Sequence, residues 1–364
     1  MKYFLSIVIL LCAYISSSAQ TALQTENVVL ITFDGLRWQE LFKGADPQLI
    51  AHPDYVSDTA ELRSLFWKAD EQDRREVLMP FFWNTIAQQG QLYGDRKQSS
   101  LVNLTNPYWF SYPGYNEILT GKADKAIDSN DKLPNQNITI LEYANQQKAF
   151  KGKVATFASW DVFPYIINEE RAGIPVNAGY ENAKEGKLTG REKWLNQLQP
   201  LLPGHWSTVR FDAFTHQYAL EYLKKEKPKL LYISYGETDD FAHDGDYDEY
   251  LKSAQRTDQF IRELWEWTQQ QREYKNKTTF IITTDHGRGT EPLDTWKSHG
   301  DEIEGADEVW WAIIGPDTPQ GDAAVQGQFY QDQIANTIAT LLGLDYQAQE
   351  SKGKANSKAF HSSR

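Results

Sequence analysis

One cysteine, Cys12, stands in 364 residues, so neither a disulfide framework nor a cysteine-rich zinc site can be built within the chain. It lies inside the apolar run from Phe4 to Tyr14, behind Ile9-Leu10-Leu11, which lacks the small residue that a lipoprotein signal places before its cysteine. Long hydrophobic runs are missing as well. That stretch of about 11 residues falls well short of the ~20 that a spanning helix needs. Met1-Lys2 precede it and Ser16-Ser17-Ser18-Ala19-Gln20 follow, the layout of a secretory signal peptide over residues 1–19 with cleavage expected after Ala19. The expected destination is the periplasm or the medium, with no membrane span left after cleavage. A buried N-terminal helix is disfavoured because the chain restarts in polar residues. Positive charge is scarce, 37 Lys and Arg against 50 Asp and Glu, for a net −13. That balance excludes a nucleic-acid polymer as a bulk electrostatic partner. A small phosphorylated substrate stays open, since metal ions can meet its charge. No Pro/Gly/Ser linker and no internal repeat divides the chain, which predicts a single catalytic domain over 20–346. The polar stretch 347–364, with little to bury, reads as a frayed tail.

Five apolar runs read as buried strands: Asn27 to Phe33, Lys153 to Phe157, Lys229 to Tyr235, Thr278 to Thr283 and Val309 to Ile314. Most do not alternate with polar residues, as expected of strands covered on both faces. Between them, Met79 to Leu92, Phe211 to Lys225, Tyr247 to Tyr274 and Phe329 to Leu342 carry apolar residues at helical spacing. The alternation predicts a three-layer α/β/α sandwich around a mostly parallel sheet. Ala45 to Arg75, charged and aromatic without period, reads as an excursion from the core.

Three of these strands end in acidic and imidazole groups: Asp34 after the first, Glu237 and Asp239 after the third, Asp285-His286 after the fourth. Parallel sheets bind ligands beyond the carboxyl ends of their strands, so separated positions reach one edge. Asp34, Asp239, His243, Asp285, His286 and His299 are candidate metal ligands, and carboxylate with imidazole suits zinc and related divalent ions. Asp239 and His243 are one helical turn apart. His52, His205, His216 and His361 read as ordinary histidines, and Asp34-Gly35 by itself would be only a turn. The candidate nucleophile is Ser111 in Phe110-Ser111-Tyr112-Pro113-Gly114-Tyr115. Pro113 and the run to Gly121 place it at a helix N-terminus, where a phosphate and a developing alkoxide are favoured. Serine is equally a preferred N-cap, and residues alone leave these two roles open.

Phe33-Asp34-Gly35-Leu36-Arg37, Ser111 through Thr120-Gly121, Glu237-Thr238-Asp239-Asp240-Phe241-Ala242-His243, Thr284-Asp285-His286-Gly287, His299-Gly300 and Ile314-Gly315-Pro316 occur in that order. The ordered set resembles the alkaline phosphatase superfamily, in particular its type I phosphodiesterase/nucleotide pyrophosphatase branch, from about Asn27 to Leu344. The resemblance implies a hydrolase of phosphoric esters with two zinc ions, other divalent ions being possible. It places one ion on Asp239, His243 and His299, and the other on Asp34, Asp285, His286 and the Ser111 oxygen. It further implies attack by Ser111 and a phosphoseryl intermediate. The branch usually has threonine where this chain has Ser111. It also has an asparagine that binds a phosphoryl oxygen; Asn130 is the expected equivalent, with Asn135 and Asn137 as rivals. Monoesterases of the superfamily commonly add a cationic clamp, whereas Ser159-Trp160-Asp161 carries no cation. A diester or pyrophosphate substrate is therefore favoured over a monoester, and Trp160 is a candidate stacking group for a ring.

Three other readings fit the sequence less well. A sulfatase would need Cys/Ser-x-Pro-x-Arg, and Ser111-Tyr112-Pro113-Gly114-Tyr115 lacks the arginine. A phosphomutase makes little sense outside the cell. A non-catalytic, exported carbohydrate-binding protein would suit the 12 Trp and 19 Tyr, though large cores are also rich in aromatics.

Overall fold

The computed structural model describes residues 23–321, 324–346 and 353–361. The expected signal segment, with its cleavage point at Ala19, lies outside these residues. In chain order the strands are β1 (Asn27–Phe33), β2 (Gln91–Tyr93), β3 (Ser100–Asn103), β4 (Val154–Ala158), β5 (Val176–Ala178), β6 (Leu230–Tyr235), β7 (Thr278–Thr284), β8 (Glu308–Val309), β9 (Trp311–Ile314) and β10 (Gly327–Tyr330). Seven of them form one sheet in the order β2-β9-β7-β1-β6-β4-β5, and β10-β3-β8 form a small second sheet. From β7 to β5 the pairing is parallel, and β9 runs against its neighbours.

All seven residues of β1 are buried, which is why its sequence does not alternate with polar residues. Val29, Ile31 and Phe33 face a core shared with the helices Asp212–Glu226 and Tyr247–Gln270. Val28 and Leu30 face the opposite core, shared with the helices Ser111–Thr120, Ile140–Gln146 and Gln333–Leu341. Successive side chains of a strand point to opposite faces, so one strand serves both cores and the architecture is the three-layer α/β/α sandwich. Register decides the rest. Phe33 lies level with Tyr235 on β6 and with Thr284 on β7, so Asp34, Gly236 and Asp285 open three loops side by side.

Several expected elements need correction. The run Val309 to Ile314 is two strands: β8 pairs with β3, and only Trp311–Ile314 joins the main sheet. The helical pattern from Met79 ends at Gln89, and Leu92 lies in β2. Phe329 belongs to β10, with the helix starting at Gln333, and the long helix stops at Gln270 rather than Tyr274. The supposed excursion Ala45–Arg75 is packed. Leu49, Ile50, Val56, Leu62 and Phe66 are buried in the same core as β1. Its helices Thr59–Phe66 and Glu71–Leu78 are capped by the Asp58 and Asp70 carboxylates, and with two turns each they are too short to show a period. The described part of the expected tail, 353–361, is packed rather than frayed: Ala359 is fully buried, and the Asn356 N–H donates to Thr337 Oγ1 at 3.1 Å. Small residues there fit beside the Gln333–Leu341 helix without any apolar run. Among the described residues no helix is long and apolar enough to cross a membrane.

The long helix is fastened to the helical turns at 82–89 by buried Asp258, whose two oxygens accept from the Phe81 and Phe82 N–H groups at 2.8 Å each. Burial pushes this carboxyl up to about 7, against the pull of those two donors. A folded-state pKa raised above its unfolded value of 3.8 gives stability that is complete below the unfolded value and is lost as pH rises through the folded one. Urea unfolding of the wild type from about pH 5 to about pH 8 should therefore show falling stability, and Asp258→Asn a shallower fall. Parallel profiles for the two proteins would contradict this assignment.

Candidate metal centre

Beyond the carboxyl ends of β1, β6 and β7 the six candidate ligands meet. Asp34 directly follows β1, and Asp285-His286 directly follow β7. After β6, Gly236 caps the helix Glu237–Asp244, which holds Asp239 and His243 four residues apart on one face. His299 arrives on the loop after the turn Leu293–Lys297. Asp239, His243 and His299 form one group and Asp34, Asp285 and His286 a second, each with potential ligand atoms within 4.8 Å of one another. In the first group His243 Nε2 lies 3.3 Å from Asp239 Oδ2 and 3.0 Å from His299 Nε2. In the second, His286 Nε2 lies 3.3 Å from Asp34 Oδ1 and 3.6 Å from Asp285 Oδ2. The groups adjoin, since His286 Nε2 is also 3.6 Å from Asp239 Oδ1. Asp34, Asp285 and His286 are buried, whereas His243 is exposed and Asp239 and His299 half-buried. Access is from the side of the first group.

Ser111 lies beside the second group. It is the first residue of the helix Ser111–Thr120, and Phe110 is the N-cap, so Ser111 does not perform the capping role that its residue type allows. Its Oγ instead sits 3.3 Å from His286 Nε2. Gly114 brings this helix in: a Cβ there would lie 2.3 Å from the Asp285 carbonyl oxygen. Gly35 does the same for the first loop. At φ +59° it occupies the left-handed region, and a Cβ would meet Asp239 Oδ1 at 2.8 Å and His286 Cε1 at 3.0 Å.

The donor set fits divalent cations. Asp34 Oδ1 and Asp285 Oδ2 are buried without a hydrogen-bond donor, a costly state for carboxylate oxygens unless a cation compensates them. Burial and the neighbouring Asp34 raise the Asp285 carboxyl well above its usual range. Burial lowers His286, yet Asp285 and Asp34 outweigh it and push the imidazole up to about 9. Both shifts report uncompensated negative charge. His286 Nδ1 lies 2.9 Å from the Gly287 carbonyl; donating its proton there leaves Nε2 as the ligand nitrogen facing the carboxylates.

Residues that the sequence reading passed over hold this set in place. Buried Arg288 donates to the Asp239 carboxylate, to the Gly35 carbonyl at 3.1 Å and to the Lys297 carbonyl at 2.7 Å. Tyr115 Oη donates to Asp34 Oδ2 at 2.9 Å, and Thr238 Oγ1 to the Asp34 carbonyl at 2.5 Å. Trp109, two residues before Ser111, has φ +52°, strained for a bulky side chain. Its carbonyl accepts from the Gly300 N–H at 3.0 Å, which ties the Ser111 loop to the His299 loop. Only Arg288 left a trace in the sequence, through its place three residues after Asp285; the others depend on contacts across the fold.

All three asparagines touch the Ser111 helix, and Asn130 does so in its first turn: its Oδ1 accepts from the Tyr112 N–H at 3.0 Å. Asn135 and Asn137 spend their amides on Asn116 Oδ1, at 3.1 Å each. His52, His205, His216 and His361 lie outside both groups, His216 being buried between Tyr235 and Glu263. Trp160 is half-buried, its ring edge-on to Phe163 at 6.5 Å. The end of β4 carries no cation, and Lys132, two residues past Asn130, is paired with Asp161 at 2.7 Å.

A family model described as type I phosphodiesterase/nucleotide pyrophosphatase matches residues 55–334. No curated protein matches the chain by sequence. In fold it is similar to the alkaline phosphatase PafA, at 10% identity over 93% of this chain and 99% of that one, with a TM-score of 0.63. It is similar also to the lipoteichoic acid synthase LtaP from Listeria monocytogenes, at 11% identity over 93% and 76%, TM-score 0.57. A protein in the alkaline phosphatase superfamily from Vibrio parahaemolyticus matches at 13% identity over 93% and 70%, TM-score 0.54. At these identities the likeness establishes the common fold.

Gly114→Ala tests how the centre is assembled. Alanine within a helix ordinarily stabilises by up to ~1 kcal/mol over glycine, but here the added methyl meets the Asp285 carbonyl. The expected outcome is a loss of about 1–3 kcal/mol in urea unfolding, typical of overpacking. Unchanged or increased stability would show that the helix does not need this close approach.

Proposed function

The chain belongs to the type I phosphodiesterase/nucleotide pyrophosphatase family of the alkaline phosphatase superfamily, and from that membership we propose an exported, two-zinc hydrolase of phosphoric esters that works through Ser111. The observation that carries the proposal is the position of Ser111 Oγ: at the first residue of a buried helix, beside His286 Nε2, where the two ligand groups adjoin. Asp239, His243 and His299 would hold one ion, and Asp34, Asp285, His286 and Ser111 Oγ the other. When bound, such a pair supplies Lewis-acid stabilisation of the attacking and leaving oxygens and lowers the pKa of the serine hydroxyl. Imidazole and carboxylate donors favour zinc, and other divalent ions suit the same set.

Ser111 Oγ gives up its proton and bonds to phosphorus while the ester P–O bond breaks. The alcohol or phosphate then leaves towards the solvent-facing side marked by His243. Water cleaves the resulting Oγ–P bond and returns a proton to Oγ. The positive end of the Ser111–Thr120 helix points its field at the phosphoryl group throughout. Asn130, oriented by the Tyr112 N–H on its Oδ1, has its Nδ2 left to donate to a phosphoryl oxygen. Arg288 and Tyr115 position Asp239 and Asp34 and touch neither substrate nor leaving group in this scheme.

A diester or pyrophosphate suits the rim better than a monoester. The strand end Ser159-Trp160-Asp161 offers no cation, and Asp161 offsets the charge of Lys132. The sulfatase reading is weakened further: Tyr115 stands where that chemistry needs arginine, and its hydroxyl is committed to Asp34. A phosphomonoesterase would have to draw on Lys132 released from Asp161. The test is hydrolysis of p-nitrophenyl phosphate and bis-p-nitrophenyl phosphate by zinc-loaded wild type and Ser111→Ala. The expected results are faster hydrolysis of the diester and a loss of roughly 10³-fold or more in the variant. Undiminished hydrolysis by Ser111→Ala would remove Ser111 as the nucleophile, and a strong monoester preference would establish the monoesterase alternative.

A further inference from the structure

At the opposite edge of the sheet, where β7 begins at Thr278 and β9 ends at Ile314, the surface is indented by a depression of about 540 Å³, an ordinary volume for a small-molecule site. Among the described residues its lining holds no Asp, Glu, Lys or Arg, and His361 is its one ionisable side chain, in a chain that is 24% charged. The described lining therefore offers a strongly ionic ligand little counter-charge. A wholly apolar one would strip water from several amides without replacing it. What the depression offers is Gln89, Gln269, Asn276 and Gln320 around the half-buried indole of Trp265. Each amide presents an acceptor oxygen and a donor nitrogen, the pairing that a hydroxyl, both donor and acceptor, complements. The side chains of Gln89, Asn276 and Gln320 are exposed and make no hydrogen bond among the described residues. Trp265 is steadied from behind by Phe280, edge-on at 5.2 Å. Thr318 lines the same depression, and its buried hydroxyl has no hydrogen-bond partner. Leaving such a group unpaired is costly.

We propose that this depression binds a neutral oligosaccharide, its hydroxyls held by the amides and an apolar ring face laid on Trp265. The site is distinct from the metal centre. Strand β7 separates them, and its six residue steps at ~3.3 Å make about 20 Å, so an occupied depression leaves the hydrolytic edge open. The enzyme would hold a glycan at one end of its sheet while cleaving an ester at the other.

Calorimetric titration of the full chain with maltotriose, cellotriose, xylotriose, mannotriose and chitotriose tests this directly. At least one trisaccharide is expected to bind. Gln269→Ala/Asn276→Ala should weaken it by about tenfold, while hydrolysis of the p-nitrophenyl esters stays unchanged. These amides lie at the surface, so the double variant keeps the fold that Trp265→Ala would endanger. No heat from any of the five sugars at millimolar concentration would overturn the proposal. So would equal affinity in the double variant, which would seat the sugar elsewhere.

Discussion

Asp34 Oδ1 and Asp285 Oδ2 lie buried without a formed hydrogen bond, with only His286 Nε2 close to both, at 3.3 and 3.6 Å, and the rest of the structure is arranged around that concentration of negative charge. Burying a carboxylate costs several kcal/mol even after relaxation. A fold tolerates the arrangement when a cation is its normal occupant. The means of holding it are spread along the whole chain. Strands β1, β6 and β7 end level, so their first loop residues share an edge. Gly35 and Gly114 remove the two methyl groups that would keep the loop and the Ser111 helix away. Arg288, fully buried, binds the Asp239 carboxylate and the Gly35 carbonyl together.

The two ligand groups differ in a way that bears on chemistry. Asp34, Asp285 and His286 are sealed inside, next to Ser111; Asp239, His243 and His299 look outward. A buried, rigid group suits activation of a serine oxygen, which must be held in one place. The open group suits departing alcohols and incoming water, which must come and go. Low dielectric at the inner group strengthens each interaction made there, and the helix terminus adds its field to the same point.

Much of this was legible in the sequence because it depended on local pattern. The strands β1, β6 and β7 are short apolar runs followed by Asp34, by Glu237 and Asp239, and by Asp285-His286, and Asp239 with His243 is a one-turn spacing; both survive in the fold with nearly the expected bounds. Short elements were not legible. The Thr59–Phe66 and Glu71–Leu78 helices have too few turns to show a period, and the 353–361 strap packs through small residues that carry no hydrophobic signal. Second-layer partners were invisible for another reason. Tyr115 reaches Asp34 from 81 positions away and Arg288 reaches Gly35 from 253, so even where a residue lies near a motif, as Arg288 does, its partner is not announced. Asn130, Asn135 and Asn137 stand alike in the sequence, and only the fold shows that it is Asn130 that accepts from the Tyr112 N–H.

The central claim, that six side chains and Ser111 form a paired metal centre, is tested most directly by anomalous diffraction at the zinc edge from crystals of zinc-loaded protein. The account predicts two adjacent peaks. One is bounded by Asp239, His243 and His299, the other by Asp34, Asp285, His286 and Ser111 Oγ. A zinc-loaded crystal with no anomalous density between these residues, or with its metal bound elsewhere on the chain, would contradict it.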